Sequence, residues 1–242
     1  MTKSVAAIAV LLVGVVSPVG RSSAQQRPAI ADQIAKTYGL DSFGQIEAIR
    51  YTFNIDLAAL KLKFSRSWVW EPKTDQVSFE GKDKAGNPVK VTYSRSQLAS
   101  QSAAVKDDVD PNFINDQYWL LFPFHMVWDG GATVTDEGTK KLPLGKGSAR
   151  NVVVKYAGGG YTPGDTWGLY VGKDGRIQEL EFHHGGDAKP SLVLATWADY
   201  KKAGPLLLSL DHRGTADGKP FRLHFSNVAV KLAGSNTWVD AK

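Results

Sequence analysis

Residues 118–128 read Y-W-L-L-F-P-F-H-M-V-W, an apolar and aromatic run interrupted only by Pro123 and His125. Asn115-Asp116 precede it and Asp129-Gly130-Gly131 follow. The run is too short to cross a bilayer, which takes roughly 20 apolar residues. It is also apolar on every side, so it cannot lie on a soluble domain with one face in water. A chain that carries it must either cover it with something large or keep it as a surface for a greasy partner.

The flanking sequence supplies a cover. Ile49, Tyr51, Phe53 and Ile55 alternate with Arg50, Thr52 and Asn54. Leu62, Phe64, Trp68 and Trp70 share a face opposed by Lys61, Lys63, Ser65 and Ser67, and Val77, Phe79, Val89, Val91 and Tyr93 continue the period of two. That period marks half-buried strands. Pro72-Lys73-Thr74-Asp75 and Gly86-Asn87-Pro88 are turn chemistry for antiparallel hairpins. Six more strands are expected at 152–156, 167–171, 177–183, 192–197, 206–210 and 221–232, with Asp174-Gly175 the strongest hairpin signal.

Between the two strand sets the pattern turns helical. Residues 94–106 are polar and suit a helix or loop. Asp110-Pro111 has the form of an N-cap with proline in the first turn. The helix it opens would carry the apolar run, with Pro123 kinking or ending it because proline lacks the N–H and clashes with the preceding turn. Ahead of the strands, Ile30, Ile34 and Tyr38 fall at helical spacing, and Gly39 stops that helix. The expected fold is mainly β with a few helices. It is a strongly curved antiparallel half-barrel of about ten strands wrapped around a central apolar helix, since only helices are available to cover the sheet.

Lys3, the apolar stretch 5–16 and Ser22-Ser23-Ala24 describe a secretory signal cleaved near Ala24, leaving about 218 residues. These form one domain, residues 25–242, with a helical insert at about 95–129; the expected location is periplasmic or secreted. The chain has no cysteine, which excludes disulfides, thiolate metal sites, a cysteine nucleophile and lipid attachment through an N-terminal cysteine. The net charge of +5 becomes +3 without Lys3 and Arg21 and is spread along the chain. No basic face for nucleic acid appears. Weak contact with an anionic membrane surface is compatible with it. A monomer is expected.

In the order and pattern of these elements, over nearly all of residues 28–235, the chain resembles the bacterial outer-membrane lipoprotein carrier and receptor (LolA/LolB-like) fold. Local matches are Trp68-Val69-Trp70-Glu71-Pro72 and Gly172-Lys173-Asp174-Gly175-Arg176-Ile177. It looks closer to uncharacterised secreted bacterial proteins of that type at Y-W-L-L-F-P-F-H (118–125), G-G-Y-T-P-G-D (159–165), and Thr196-Trp197 with Tyr200. The resemblance implies an open half-barrel lidded by helices, with an apolar cavity between. One position departs: the carriers commonly place an arginine before the proline after the second strand, and here it is Glu71. The likeness therefore supports the fold more than the job.

The candidate ligand-binding residues are aromatic: Phe64, Trp68, Trp70 and Phe79 from the first strands, and Tyr118, Trp119, Phe122, Phe124 and Trp128 from the insert. Such side chains either fill the core, each burying about 150–250 Å², or line a cavity for an acyl chain. Arg66 shares the face of Phe64 and Trp68. Either a bulge or edge position returns it to water, or it grips an anionic headgroup bidentately. Tyr161, in the glycine-rich stretch 158–165, would shape the cavity mouth; that stretch lacks phosphate-loop spacing.

His183 and His184 are adjacent and so point to opposite faces of a strand, which argues against a shared metal. His125 reads as a core or cap histidine bonded to a carboxylate or carbonyl. Glu179 and Glu181 share one face as an exposed pair, and no catalytic serine or zinc motif occurs. The sequence thus points to a non-enzymatic carrier of a hydrophobic or amphipathic molecule such as a lipid, with no cofactor, metal or nucleic acid. A hydrolase acting on lipid or glycan at the cavity mouth, and a filled structural module with no ligand, are the alternatives.

Overall fold

The computed structural model describes residues 28–57, 61–83, 85–158, 163–185 and 191–242. The expected signal, residues 1–24, lies outside them. Thirteen strands among the described residues form one antiparallel sheet. β1 (Ile46–Leu57), β2 (Leu62–Glu71), β3 (Gln76–Lys82) and β4 (Pro88–Ser94) make a meander. After a helical insert come β5 (Ala132–Lys141), β6 (Ser148–Tyr156), β7 (Thr166–Val171), β8 (Ile177–His183) and β9 (Leu192–Thr196). The chain finishes with β10 (Ala198–Ala203), β11 (Leu206–Ala216), β12 (Lys219–Leu232) and β13 (Trp238–Asp240).

The sheet runs β4-β3-β2-β1-β12-β11-β9-β8-β7-β6-β5, with β10 beside β11 and β13 beside β12. β4 and β5 occupy opposite ends, so the curved sheet stays open. Both edges carry groups that deter further pairing: Pro88 and Lys90 on β4, and Asp136, Glu137, Lys140 and Lys141 on β5. Ten of these strands fall where the sequence pattern places them. β5, β10 and β13 do not show it: β5 reads A-T-V-T-D-E-G-T-K-K and is mostly exposed, β10 is short and polar, and β13 has three residues. The Asp174-Gly175 hairpin joins β7 to β8 as expected. Gly175 sits at φ +79°, where a Cβ would fall 2.6 Å from the Thr37 hydroxyl.

Helix α1 (Ala29–Thr37) buries Ile30, Ala31, Ile34 and Ala35, the spacing of one helical face. Helix α2 (Asp110–Trp128) joins the two ends of the sheet in sequence and places Phe113, Leu120, Leu121, Phe122 and Phe124 in the core. Facing them are Tyr51, Phe53 and Trp68 from the sheet, all about 1% exposed. The apolar run is thus buried inside the fold from Trp119 to Met126, with Trp128 at its end exposed. Among the described residues no helix is long and apolar enough to cross a membrane.

Two local expectations at this helix are corrected. Asp110 does not cap it, because a wider helical turn over Val105–Val109 leads straight into α2. Asp110 is fully buried instead, accepting bonds from Tyr93 Oη (2.7 Å) and Arg95 Nε (2.8 Å). Nor does Pro123 end the helix, which runs on to Trp128. Pro123 deprives the Trp119 carbonyl of its helical donor.

Candidate functional site

A cavity of about 370 Å³ lies between α2 and β6, β7 and β8. From α2, Pro111, Ile114 and Tyr118 recur at helical spacing, followed by His125 and, just past the helix, Asp129. Residues seven apart on a helix share a face, which brings Tyr118 and His125 together. The opposite wall is Tyr156 from β6, Trp167 from β7 and Phe182 from β8, with Asp165 and His184 in the adjoining loops. Asn115 and Gln117 of α2 and Arg95, just after β4, complete the lining.

One corner is a dense polar network. Asp129 Oδ2 accepts from Tyr118 Oη at 2.6 Å and Tyr156 Oη at 2.9 Å, and its Oδ1 lies 3.1 Å from His125 Nδ1. Burial works to raise the Asp129 pKa, but the bonds from His125 and the two tyrosines outweigh it and hold the carboxyl below its ordinary value. Burial, reinforced by this carboxylate, drives the Tyr118 and Tyr156 hydroxyls well above the ordinary tyrosine range. An ionised carboxylate can only accept, so His125 Nδ1 carries the hydrogen. The His125 ring stacks on Tyr118 at 3.8 Å and meets the Trp128 ring edge-on at 5.5 Å.

The second polar group is Asp165. Its Oδ1 accepts from the Gly185 N–H at 2.8 Å and lies 3.2 Å from His184 Nδ1. Gly185 can sit there only because it lacks a side chain: a Cβ would fall 2.1 Å from the Gly164 carbonyl carbon. Main-chain bonds between Tyr156 and Asp165 (2.9 Å) and between Gly164 and Tyr156 (2.7 Å) tie this loop to the end of β6. The cavity therefore has apolar walls at Ile114, Trp167 and Phe182 and two fixed polar ends.

Of the candidate ligand-binding residues, Tyr118 lines this cavity. Trp70, Trp119, Phe122 and Phe124 are core, with Phe122 stacked on Trp167 at 4.3 Å. Trp68 and Phe79 pack with ring centroids 4.6 Å apart within the same core. Trp128 is 36% exposed and packs against Phe43 and Phe124. Phe64 and Arg66 border a separate open groove beside Asn112. Tyr161 lies outside the described residues.

Arg66 does keep the face that the alternation assigns it, since β1 and β2 pair without a break from Ile49–Trp70 to Leu57–Leu62. No bulge returns it to water. Its guanidinium is held by Asp116 and Asn112 of α2 (Nη1 to Asn112 Oδ1, 3.0 Å) and lies over the Phe53 and Phe64 rings.

His183 and His184 take different partners, Glu181 and Asp165. Glu179 accepts from the Leu144 N–H at 2.7 Å. Among the described residues no three potential metal ligands come together. His125 does bond a carboxylate, as its setting in the apolar run suggested. The sequence reading passed over Asp129, Tyr156, Trp167 and Phe182 as a group. The signal for part of it was present: Tyr118, His125 and Asp129 are polar-tipped residues at spacings of seven and four inside or beside an apolar helix.

No protein-family model matches this chain, and no curated protein does. Among the solved structures similar to it are three, each at 10% sequence identity. A DUF1329 family protein from Desulfovibrio piger aligns over 86% of this chain and 94% of its own, with a TM-score of 0.45. A LolA superfamily protein from Nitrosomonas europaea aligns over 82% and 92%, with a TM-score of 0.43. The Mycobacterium tuberculosis lipoprotein LppX aligns over 88% and 99%, with a TM-score of 0.30.

Proposed function

We propose that this protein is a non-enzymatic binding or carrier protein that holds a hydrophobic or amphipathic molecule, such as a lipid or acyl chain, between α2 and the sheet. It would work as a monomer in the periplasm or outside the cell, with weak contact to membrane surfaces. The observation behind this reading is the cavity of about 370 Å³ with walls of Ile114, Trp167 and Phe182. Ligand pockets begin at about 300 Å³. A fold whose helix merely filled the sheet would leave less, so the size favours a guest over a closed module.

The hydrolase alternative has less behind it. Asp165 is engaged by His184 and the Gly185 N–H, and Glu181 by His183. Native mass spectrometry of gently purified protein tests the carrier reading. The expected result is a mass above that of the polypeptide, with an apolar molecule recoverable by solvent extraction. A bare polypeptide mass with nothing extractable would overturn it.

A further inference from the structure

The cavity wall holds a side-chain amide that the protein itself leaves unused. Gln117 of α2 lines the space and is only 3% exposed. Its amide makes no hydrogen bond among the described residues. Neither amide atom is sealed from solvent, so the little surface this residue keeps includes both the oxygen and the nitrogen. Buried polar groups in native folds nearly always have a partner, and one without calls for a specific explanation. Gln117 lies three residues on from Ile114, which makes the two side chains neighbours on the helix and sets the amide beside the apolar wall.

The other polar groups of the lining are engaged within the protein. Asp129 takes the Tyr118 and Tyr156 hydroxyls and faces His125, and Asp165 takes the Gly185 N–H and faces His184. Arg95 Nε donates to Asp110 at 2.8 Å, and Asn115 Nδ2 to Asp116 Oδ1 at 3.0 Å.

The chemistry of a free carboxamide narrows the choice of guest. It presents a donor and an acceptor side by side and carries no charge. Another carboxamide satisfies both at once, through two N–H···O bonds. An ester offers an acceptor alone and leaves the Gln117 oxygen desolvated and unpaired. A carboxylate does the same, and also brings its charge toward Asp129 and Asp165 where the arginine of the lining is already held by Asp110.

We infer that the cavity takes a neutral amide-bearing lipid, an apolar chain ending in a carboxamide, and that Gln117 recognises that amide. The inference rests on reading the cavity as a binding site. Ile114, Trp167 and Phe182 hold the chain, and Gln117 selects its polar end.

Displacement of the neutral fluorophore N-phenylnaphthylamine at pH 8 tests this with three probes of equal acyl length: decanamide, methyl decanoate and decanoate. Decanamide is expected to compete roughly three- to tenfold better than the methyl ester, the worth of one further hydrogen bond. It should also exceed decanoate. Gln117→Met keeps the length of the side chain without its donor and acceptor. In that variant decanamide should lose its advantage over the ester.

If the ester matches decanamide in the natural protein, or decanoate binds best, the assignment of Gln117 fails while the apolar site stands. It fails equally if the variant keeps the preference for the amide. If neither the fluorophore nor any probe binds, the carrier reading fails and takes this inference with it. The comparison of probes in the natural protein remains decisive even if the variant does not fold.

Discussion

Arg66 on β2 and Asp116 on α2 form a two-pronged ion pair inside the fold, with Nε to Oδ2 at 2.7 Å and Nη2 to Oδ1 at 2.5 Å. Asp116 is fully buried and the Arg66 side chain is 14% exposed. Trp68 Nε1 adds a third bond to the same carboxylate at 2.8 Å. This cluster fastens the helix to the first half of the sheet and sets which helical face turns inward.

Removing one partner should therefore cost far more than removing both. Asp116→Ala leaves a buried guanidinium and an indole N–H unpaired, and is expected to lower unfolding free energy by about 3–5 kcal/mol. The double change Arg66→Met with Asp116→Leu should recover most of that loss, since apolar replacement of a whole buried pair is often neutral. Urea denaturation of the three proteins checks it. Equal losses in the single and double variants would contradict the account.

His212 should make the fold sensitive to mild acid. Burial lowers its pKa from 6.5 to about 4, against the pull of the Thr196 carbonyl, Asp211 and the Trp119 carbonyl. The unfolded chain therefore binds a proton that the folded chain refuses, and stability falls as pH drops from 6.5 toward 4. Between pH 6.5 and 5 the loss should be about 2 kcal/mol. His212→Phe should show a flatter pH dependence over that interval, whatever its absolute stability, when both are melted across a pH series.

Gly214 on β11 lies tight against the main chain of β9. A Cβ on Gly214 would fall 1.9 Å from the Leu194 carbonyl oxygen, which is main chain and cannot swing aside. Gly214→Ala is thus expected to cost about 1–3 kcal/mol through forced strand separation. Gly86→Ala meets nothing within 4 Å but sits at φ +87°, so any cost there is conformational and smaller. Thermal melting of the two variants gives the comparison.

Filling the cavity should abolish binding without harming the fold. Ile114 is half-buried in the cavity wall, and Ile114→Trp puts a larger ring into the space a ligand tail would occupy. The affinity for N-phenylnaphthylamine should fall more than tenfold, while the melting temperature holds or rises. Unchanged binding would place the ligand elsewhere, with the groove beside Phe64 and Arg66 the next surface to probe.

Much of the architecture was legible because it rests on periodicity. Tyr51 and Phe53 are buried as their alternation requires, and Ile30 and Ile34 as their helical spacing requires. The edge strand β5 was not legible, because a strand exposed on most of its length has no apolar face to repeat. The site was harder still. Aromatic residues mark buried volume wherever they fall, so Phe122 and Phe124 looked as suitable for a ligand as Tyr118 did. What separates them is which helical face meets filled space and which meets the gap beside Tyr156 and Phe182. That depends on the Arg66–Asp116 contact, and no spacing rule encodes it.

The pairing of β1 with β12 has a consequence for how the molecule comes into being. Ile49 sits opposite Val230, so the first meander gains its second neighbour only when almost the whole chain is available. Until then β1 presents an open row of amides and carbonyls, and α2 has only half of its cover. Contacts this remote in sequence slow folding. The β1–β4 meander and the β5–β9 ladder can each pair locally, but they become one sheet only when β11 and β12, near the end of the chain, bridge β9 to β1.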